Sequence, residues 1–214
     1  MRKEIVAEAL GTALLLAAVV GSGIMAERLS GGNVGVALLA NAIATGGALF
    51  ALIVAFGPLS GAHFNPVVTL ALTFDGQSAR PRALPFLVAQ VVGAIVGVWL
   101  AHLMFDLPVL QLSPKERVSV GQWVAEAVAT FGLVLLILLG ARRQSPALPA
   151  AVAAYIVGAY WFTASTSFAN PAVTIARALT DSFAGIAFNG VPMFIAAQCV
   201  GALLAFALAR WLAR

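Results

Sequence analysis

Six long apolar runs divide this chain, at roughly residues 4–25, 34–57, 83–105, 122–140, 148–164 and 190–213. A helix needs about 20 mostly apolar residues to cross the hydrocarbon core of a bilayer. The pattern therefore predicts an all-α membrane protein with six transmembrane helices. Between the second and third runs, and again between the fifth and sixth, lies a shorter apolar segment that opens on Asn-Pro: Asn65-Pro66 and Asn170-Pro171.

Composition supports the same reading. Hydrophobic residues make up 62% of the chain and charged residues 9%, whereas a soluble domain carries about 25% charged residues. Too few charges remain to cover a water-facing surface, so the outside must meet lipid, and residues 1–214 read as one polytopic unit with no soluble domain attached. The net charge of +4 does not signal a nucleic-acid partner, because the basic residues are scattered through short loops and termini instead of forming a patch. A single cysteine, Cys199, excludes an internal disulfide, and no Cys/His cluster has metal-ligand spacing. No metal or cofactor is expected. The basic, then apolar N-terminus resembles a secretory signal, but Glu4 and Glu8 interrupt the apolar run, and its AEALGT returns as AEAVAT at 125–130. Retention of this segment is expected.

That recurrence belongs to a larger repeat. Residues 60–71 read SGAHFNPVVTLA and residues 165–176 read STSFANPAVTIA. Glu8 and Thr12 correspond to Glu126 and Thr130, and AQVVGA at 89–94 corresponds to AQCVGA at 197–202. The halves, approximately 1–110 and 118–214, each read helix, helix, Asn-Pro segment, helix. Three spans per half is odd, so the second half must be inverted in the membrane relative to the first. Inverted repeats place a transport site near the midplane, where broken helices meet. Arg2, Lys3, Arg80, Arg82, Arg142, Arg143, Arg210 and Arg214 fall on the side of the termini; Arg28, Lys115, Arg117 and Arg177 fall on the other. The positive-inside rule then puts both termini in the cytoplasm.

In each Asn-Pro segment, proline suits the first helical position and asparagine suits the N-cap before it. Gly57-Pro58 is expected to end the second span, and Ser60–Phe64 to be irregular. Asn65 then caps a half-helix running to about Phe74, and Asn170 caps another to about Thr180. About ten residues span roughly 15 Å, half a bilayer. Irregular backbone at membrane depth persists only where protein buries it or water wets it. The carbonyls of 60–64 and 165–169 can line a narrow pore, with the Asn65 and Asn170 amides as donors at its centre. Both half-helix N-termini carry partial positive charge, which disfavours cations and tolerates neutral hydrogen-bonding molecules.

The boxes Asn65-Pro66-Val67 and Asn170-Pro171-Ala172, preceded by SGAHF and STSFA, resemble the two signature boxes of the aquaporin and aquaglyceroporin (major intrinsic protein) family. The resemblance covers essentially the whole chain, and it implies a homotetramer in the cell's inner (plasma) membrane with one pore per subunit. By the family pattern, Glu8 and Glu126 brace the irregular loops by accepting backbone N–H groups, with His63 as a further brace. In this family an arginine usually follows the second box; here that position is Val173. The family's outer filter uses four positions, which map by spacing onto Thr45, Gly158, Ser167 and Val173. Water-selective members carry a large aromatic, a histidine and an arginine at the first, second and fourth. This chain has a small or medium side chain at all four, so a wide filter lined by hydroxyls is expected. That filter, together with NPAVTIAR, is similar to bacterial aquaglyceroporins associated with arsenic-resistance operons, which implies passage of arsenous acid, a neutral solute that presents hydroxyls much as glycerol does.

Arg177 lies at i+4 from Val173, on the same half-helix face. It either pairs with Asp181 or snorkels to the outer interface, or it offers donors at the outer mouth. The alternative to a metalloid-permeable pore is a general glycerol and water facilitator. An enzyme is not expected, because the mid-membrane candidates Glu8, Glu126 and His63 lack partners at catalytic spacing. A coupled transporter could use the same half-helices, and saturable, gradient-driven uptake would be its sign.

Overall fold

The computed structural model describes residues 1–213; Arg214, counted above with the basic residues near the termini, lies outside the described residues. The described residues form eight α-helices: α1 Arg2–Leu29, α2 Val34–Ser60, α3 Pro66–Phe74, α4 Ala83–Met104, α5 Val120–Arg142, α6 Leu148–Phe162, α7 Pro171–Arg177 and α8 Val191–Leu212. Among the described residues, α1, α2, α5 and the stretches ending in α4 and α8 are long and apolar enough to cross a membrane, and α6 is a shorter apolar helix. The helical surfaces turn leucine, valine and phenylalanine outward, Val6, Leu39, Val92, Val128 and Leu203 among them. In water such a surface would be a liability; in lipid it is what the surroundings require.

Helix packing follows from small residues. α1 packs along α4, and α5 along α8. A side chain at Gly93 would collide with the carbonyl of Ala9 on α1, and one at Gly201 with the carbonyl of Ala127 on α5. Membrane helices associate through close backbone approach because no hydrophobic effect drives them together in lipid. These two glycines, equivalent in the AQVVGA and AQCVGA repeat, are the notches that permit it.

Two boundaries differ from the sequence reading. α2 continues through Pro58 to Ser60. Proline loses only one hydrogen bond in a terminal turn, and the actual stop is Gly61, whose φ of 93° turns the chain left-handed. α7 ends at Arg177 rather than near Thr180. There Ala178 and Leu179 donate to Ile175 and Ala176, tightening the turn, and the chain folds back so that the Ile186 N–H reaches the Arg177 carbonyl.

Candidate pore

The irregular segments before α3 and α7 meet at the centre of the bundle. Asn65 caps α3 through its side-chain oxygen, which accepts from the Val67 N–H; Asn170 caps α7 by accepting from Ala172 and Val173. The amide nitrogens cross over. Asn65 Nδ2 donates to the Ala169 carbonyl and Asn170 Nδ2 donates to the Phe64 carbonyl, each at 2.8 Å. An asparagine amide has two N–H donors, so the crossed bonds leave each residue one hydrogen for a molecule passing between them.

The loops are held from behind by the two buried glutamates. Glu8 accepts from the His63 and Phe64 N–H groups, the Ser60 hydroxyl and the Gln90 amide, at 2.6–3.0 Å. Glu126 accepts from the Phe168 and Ala169 N–H groups and the Gln198 amide, at 2.6–2.9 Å. Gln90 also donates to Thr69 on α3, and Gln198 to Thr174 on α7. Each glutamine therefore joins a glutamate to a half-helix, a role the AQVVGA and AQCVGA repeat signals only as a repetition. With their N–H groups drawn to the glutamates, the loops adopt unusual backbone: Ala62, Phe64, Thr166, Ser167 and Ala169 all have φ between 47° and 63°. A left-handed non-glycine residue costs about 1–3 kcal/mol, and the charge-assisted bonds to Glu8 and Glu126 offset it.

A cavity of about 110 Å³ runs past both asparagines. About 10–15 Å³ of such space holds one water, so the cavity takes several waters or a small polyol in file. On the side of the termini its wall is apolar, with Leu49, Ile53, Val68, Leu72 and Leu148. His63 also faces the cavity, and its Nδ1 lies 3.0 Å from Thr69 Oγ1. On the opposite side the wall includes Thr45, Tyr160, Ser167, Val173 and Arg177.

Three of the four filter positions named from sequence thus meet around the cavity, and one does not. Gly158 is exposed on the far face of α6. The face of α6 turned to the cavity carries Val152, Ile156 and Tyr160, spaced by four as one helix stripe requires. Position 158 falls about half a turn away. Spacing counted back from Asn170 missed this, whereas the helix stripe running from Val152 could have found Tyr160. Its hydroxyl lies 3.3 Å from Thr45 Oγ1, so an aromatic ring stands opposite the threonine. Ser167 Oγ is buried and has no hydrogen-bond partner among the described residues, which leaves it available to a solute.

Arg177 does not pair with Asp181. It is 2% exposed; its Nε donates to the Ala184 carbonyl and its guanidinium lies over the Phe168 ring, 3.4 Å from the centroid. Arg117, from the segment between α4 and α5, also lies over Phe168; nothing in its sequence context marks it out from the other loop cations.

The family model described as "Major intrinsic protein" matches residues 1–166. The chain is 54% identical to "Aquaglyceroporin AqpS" of Rhizobium meliloti (strain 1021), an alignment covering 99% of this chain and 91% of that protein. It is 28% identical to "Aquaporin Z" of Bradyrhizobium diazoefficiens, over 98% and 93% of the two chains. Among solved structures it is similar to the aquaglyceroporin from Plasmodium falciparum, with a TM-score of 0.69 at 22% identity, covering 97% of this chain and 94% of that one. These proteins are membrane channels and not enzymes. On the fold, the paired Asn-Pro boxes and these matches, the chain belongs to the major intrinsic protein family.

Proposed function

We propose that this protein is a passive channel for small uncharged solutes, whose arginine-less outer filter passes polyol-like molecules, arsenous acid among them. The observation that carries the reading is the cavity wall at residue 173: a valine lines the cavity there, in a wall that also includes Thr45 and Ser167. A guanidinium at that position would fill space and offer five N–H donors. Valine does neither, so a glycerol or arsenous acid molecule meets hydroxyl partners on one side and an apolar patch on the other. Tyr160 supplies the aromatic surface of this filter in place of Gly158, and its ring sets how much width the missing arginine releases. The Asn65 and Asn170 amides then hand the solute to the apolar wall beyond. Six crossings in two inverted halves, a homotetramer, and both termini on the cytoplasmic side of the inner (plasma) membrane complete the reading. Matched hydrogen bonding around Glu8 and Glu126 and the skewed Lys/Arg distribution support the inverted halves and their orientation.

Flux into proteoliposomes tests it. Wild type is expected to pass glycerol and arsenous acid, and Val173→Arg to slow both at least about tenfold, a barrier increase of about 1.4 kcal/mol. Fast glycerol with no arsenous acid flux would favour a general glycerol and water facilitator. Fast water with neither solute would sink the open-filter reading.

A further inference from the structure

Arg177 and Arg117 are the buried Lys and Arg side chains among the described residues, at 2% and 7% exposure. Arg177 lines the cavity one helical turn beyond Val173. Arg117 stands behind it, with its guanidinium 5.1 Å from the Phe168 centroid. Among the described residues, every side-chain hydrogen bond of the two arginines goes to a neutral carbonyl. Arg117 donates to Gly185 at 3.0 Å and Ser165 at 3.1 Å, and Arg177 Nε donates to Ala184. The Nη atoms of Arg177 have no protein partner among the described residues, and neither arginine forms an ion pair there; the pairs present are Met1–Glu4, Arg82–Glu4 and Arg142–Asp75. Glu126, the buried carboxylate on this side, is committed to the loop N–H groups and Gln198. Lys115 adds a third positive charge nearby, its Nζ bonded to the Phe183 carbonyl.

Buried guanidiniums without a direct ion-pair partner are unusual, because a charge in a low-dielectric setting is costly; the Glu126 carboxylate favours both through space without pairing with either. Their arrangement suits a barrier. A monovalent cation approaching within several ångströms of one such charge is disfavoured by about tenfold or more at an effective dielectric near 20, and screening is weak at a buried site. Neutral solutes feel no such repulsion and gain the free Nη donors.

We propose that Arg177, backed by Arg117, is the charge barrier of this pore, placed one helical turn outside the filter position that Val173 leaves open. Size selection and charge exclusion are thereby separated: residue 173 sets the width, and residue 177 rejects cations. This rests on the pore reading above. Phe168 holds the assembly together, since both guanidiniums lie over its ring and its own N–H is fixed by Glu126.

Urea and guanidinium have nearly the same planar shape and differ in charge, so their fluxes into proteoliposomes isolate the barrier. Wild type is expected to pass urea and exclude guanidinium. Arg177→Gln is expected to raise the ratio of guanidinium flux to urea flux at least about tenfold, and Arg177→Lys to keep the exclusion. If Arg177→Gln carries no urea, Arg177→Met, which keeps the apolar stem over Phe168, takes its place. Guanidinium passing the wild type as readily as urea overturns the proposal, as does a urea-permeable Gln or Met variant that still excludes guanidinium. A wild type that passes neither urea nor glycerol removes the pore reading itself, and this inference with it.

Discussion

At the scale of single residues, the pore depends on two carboxylates that never touch the solute. Glu8 satisfies the N–H groups of His63 and Phe64 and Glu126 those of Phe168 and Ala169, holding left-handed backbone that alanine, serine and phenylalanine otherwise avoid. Each buried N–H left without an acceptor costs about 1–3 kcal/mol, and each kcal/mol moves a chain of this size by roughly 2–4 °C. Glu8→Ala is therefore expected to lower the melting temperature in detergent by about 10 °C, and Glu8→Gln by less, because the amide oxygen still accepts. Equal melting of wild type and Glu8→Ala would show that the loop holds its shape without this brace. Residue-level chemistry was only partly legible in the sequence. The matched positions of Glu8 and Glu126 pointed to paired roles, and the Asn-Pro boxes to paired caps. Gly158 was misplaced because counting along the chain through an irregular loop ignores which way a helix face points. Arg117 carried no signal, since a basic residue in a loop normally faces water.

Among the elements, the half-helices are the most sensitive to packing. α3 is fixed at its far end by Arg142 of α5, whose Nε donates to Asp75 at 2.9 Å and whose Nη2 makes a second bond to the same carboxylate. Those bonds hold the Asp75 carboxyl below the usual carboxylate range. A depressed folded pKa stabilises fully above the unfolded value of about 3.9 and loses that contribution as pH falls through the folded value. Asp75→Asn is expected to melt below wild type at pH 7, with the gap closing as pH falls below about 4. A gap that persists unchanged in acid would assign the effect to something other than the ion pair. For the long helices the notches matter more. Gly201→Ala places a methyl group against the Ala127 carbonyl, whereas a methyl at Gly47 meets nothing within 4 Å. Overpacking costs about 1–3 kcal/mol, so Gly201→Ala should lower the melting temperature by several degrees and Gly47→Ala should not. Equal behaviour of the two would refute the close approach of α5 and α8. Apolar length and Asn-Pro chemistry made the helices readable in advance. Their ends were less so: Gly61 and not Pro58 stops α2, and a fold-back at Arg177 shortens α7.

For the whole molecule, one arrangement is used twice. Glutamate braces loop, loop presents asparagine, glutamine ties glutamate to half-helix, and glycine lets the outer helices close in; the residues differ in number but not in kind between the halves. A departure from that symmetry lies on the side away from the termini: Val173 matches Val68 of the other half, but Arg177 stands where that half has Leu72. Architecture was visible in the repeat, while the proposed charge barrier at Arg177 lies where the repeat breaks. The central claim is that solutes diffuse through an open path instead of being carried. Initial glycerol influx into proteoliposomes, measured against external concentration with no ion gradient, tests this most directly. An open path gives a rate that rises linearly with concentration, is equal in both directions, and depends only weakly on temperature. Influx that saturates, or that requires a proton or sodium gradient, would contradict it and identify the paired half-helices as a transporter's binding site.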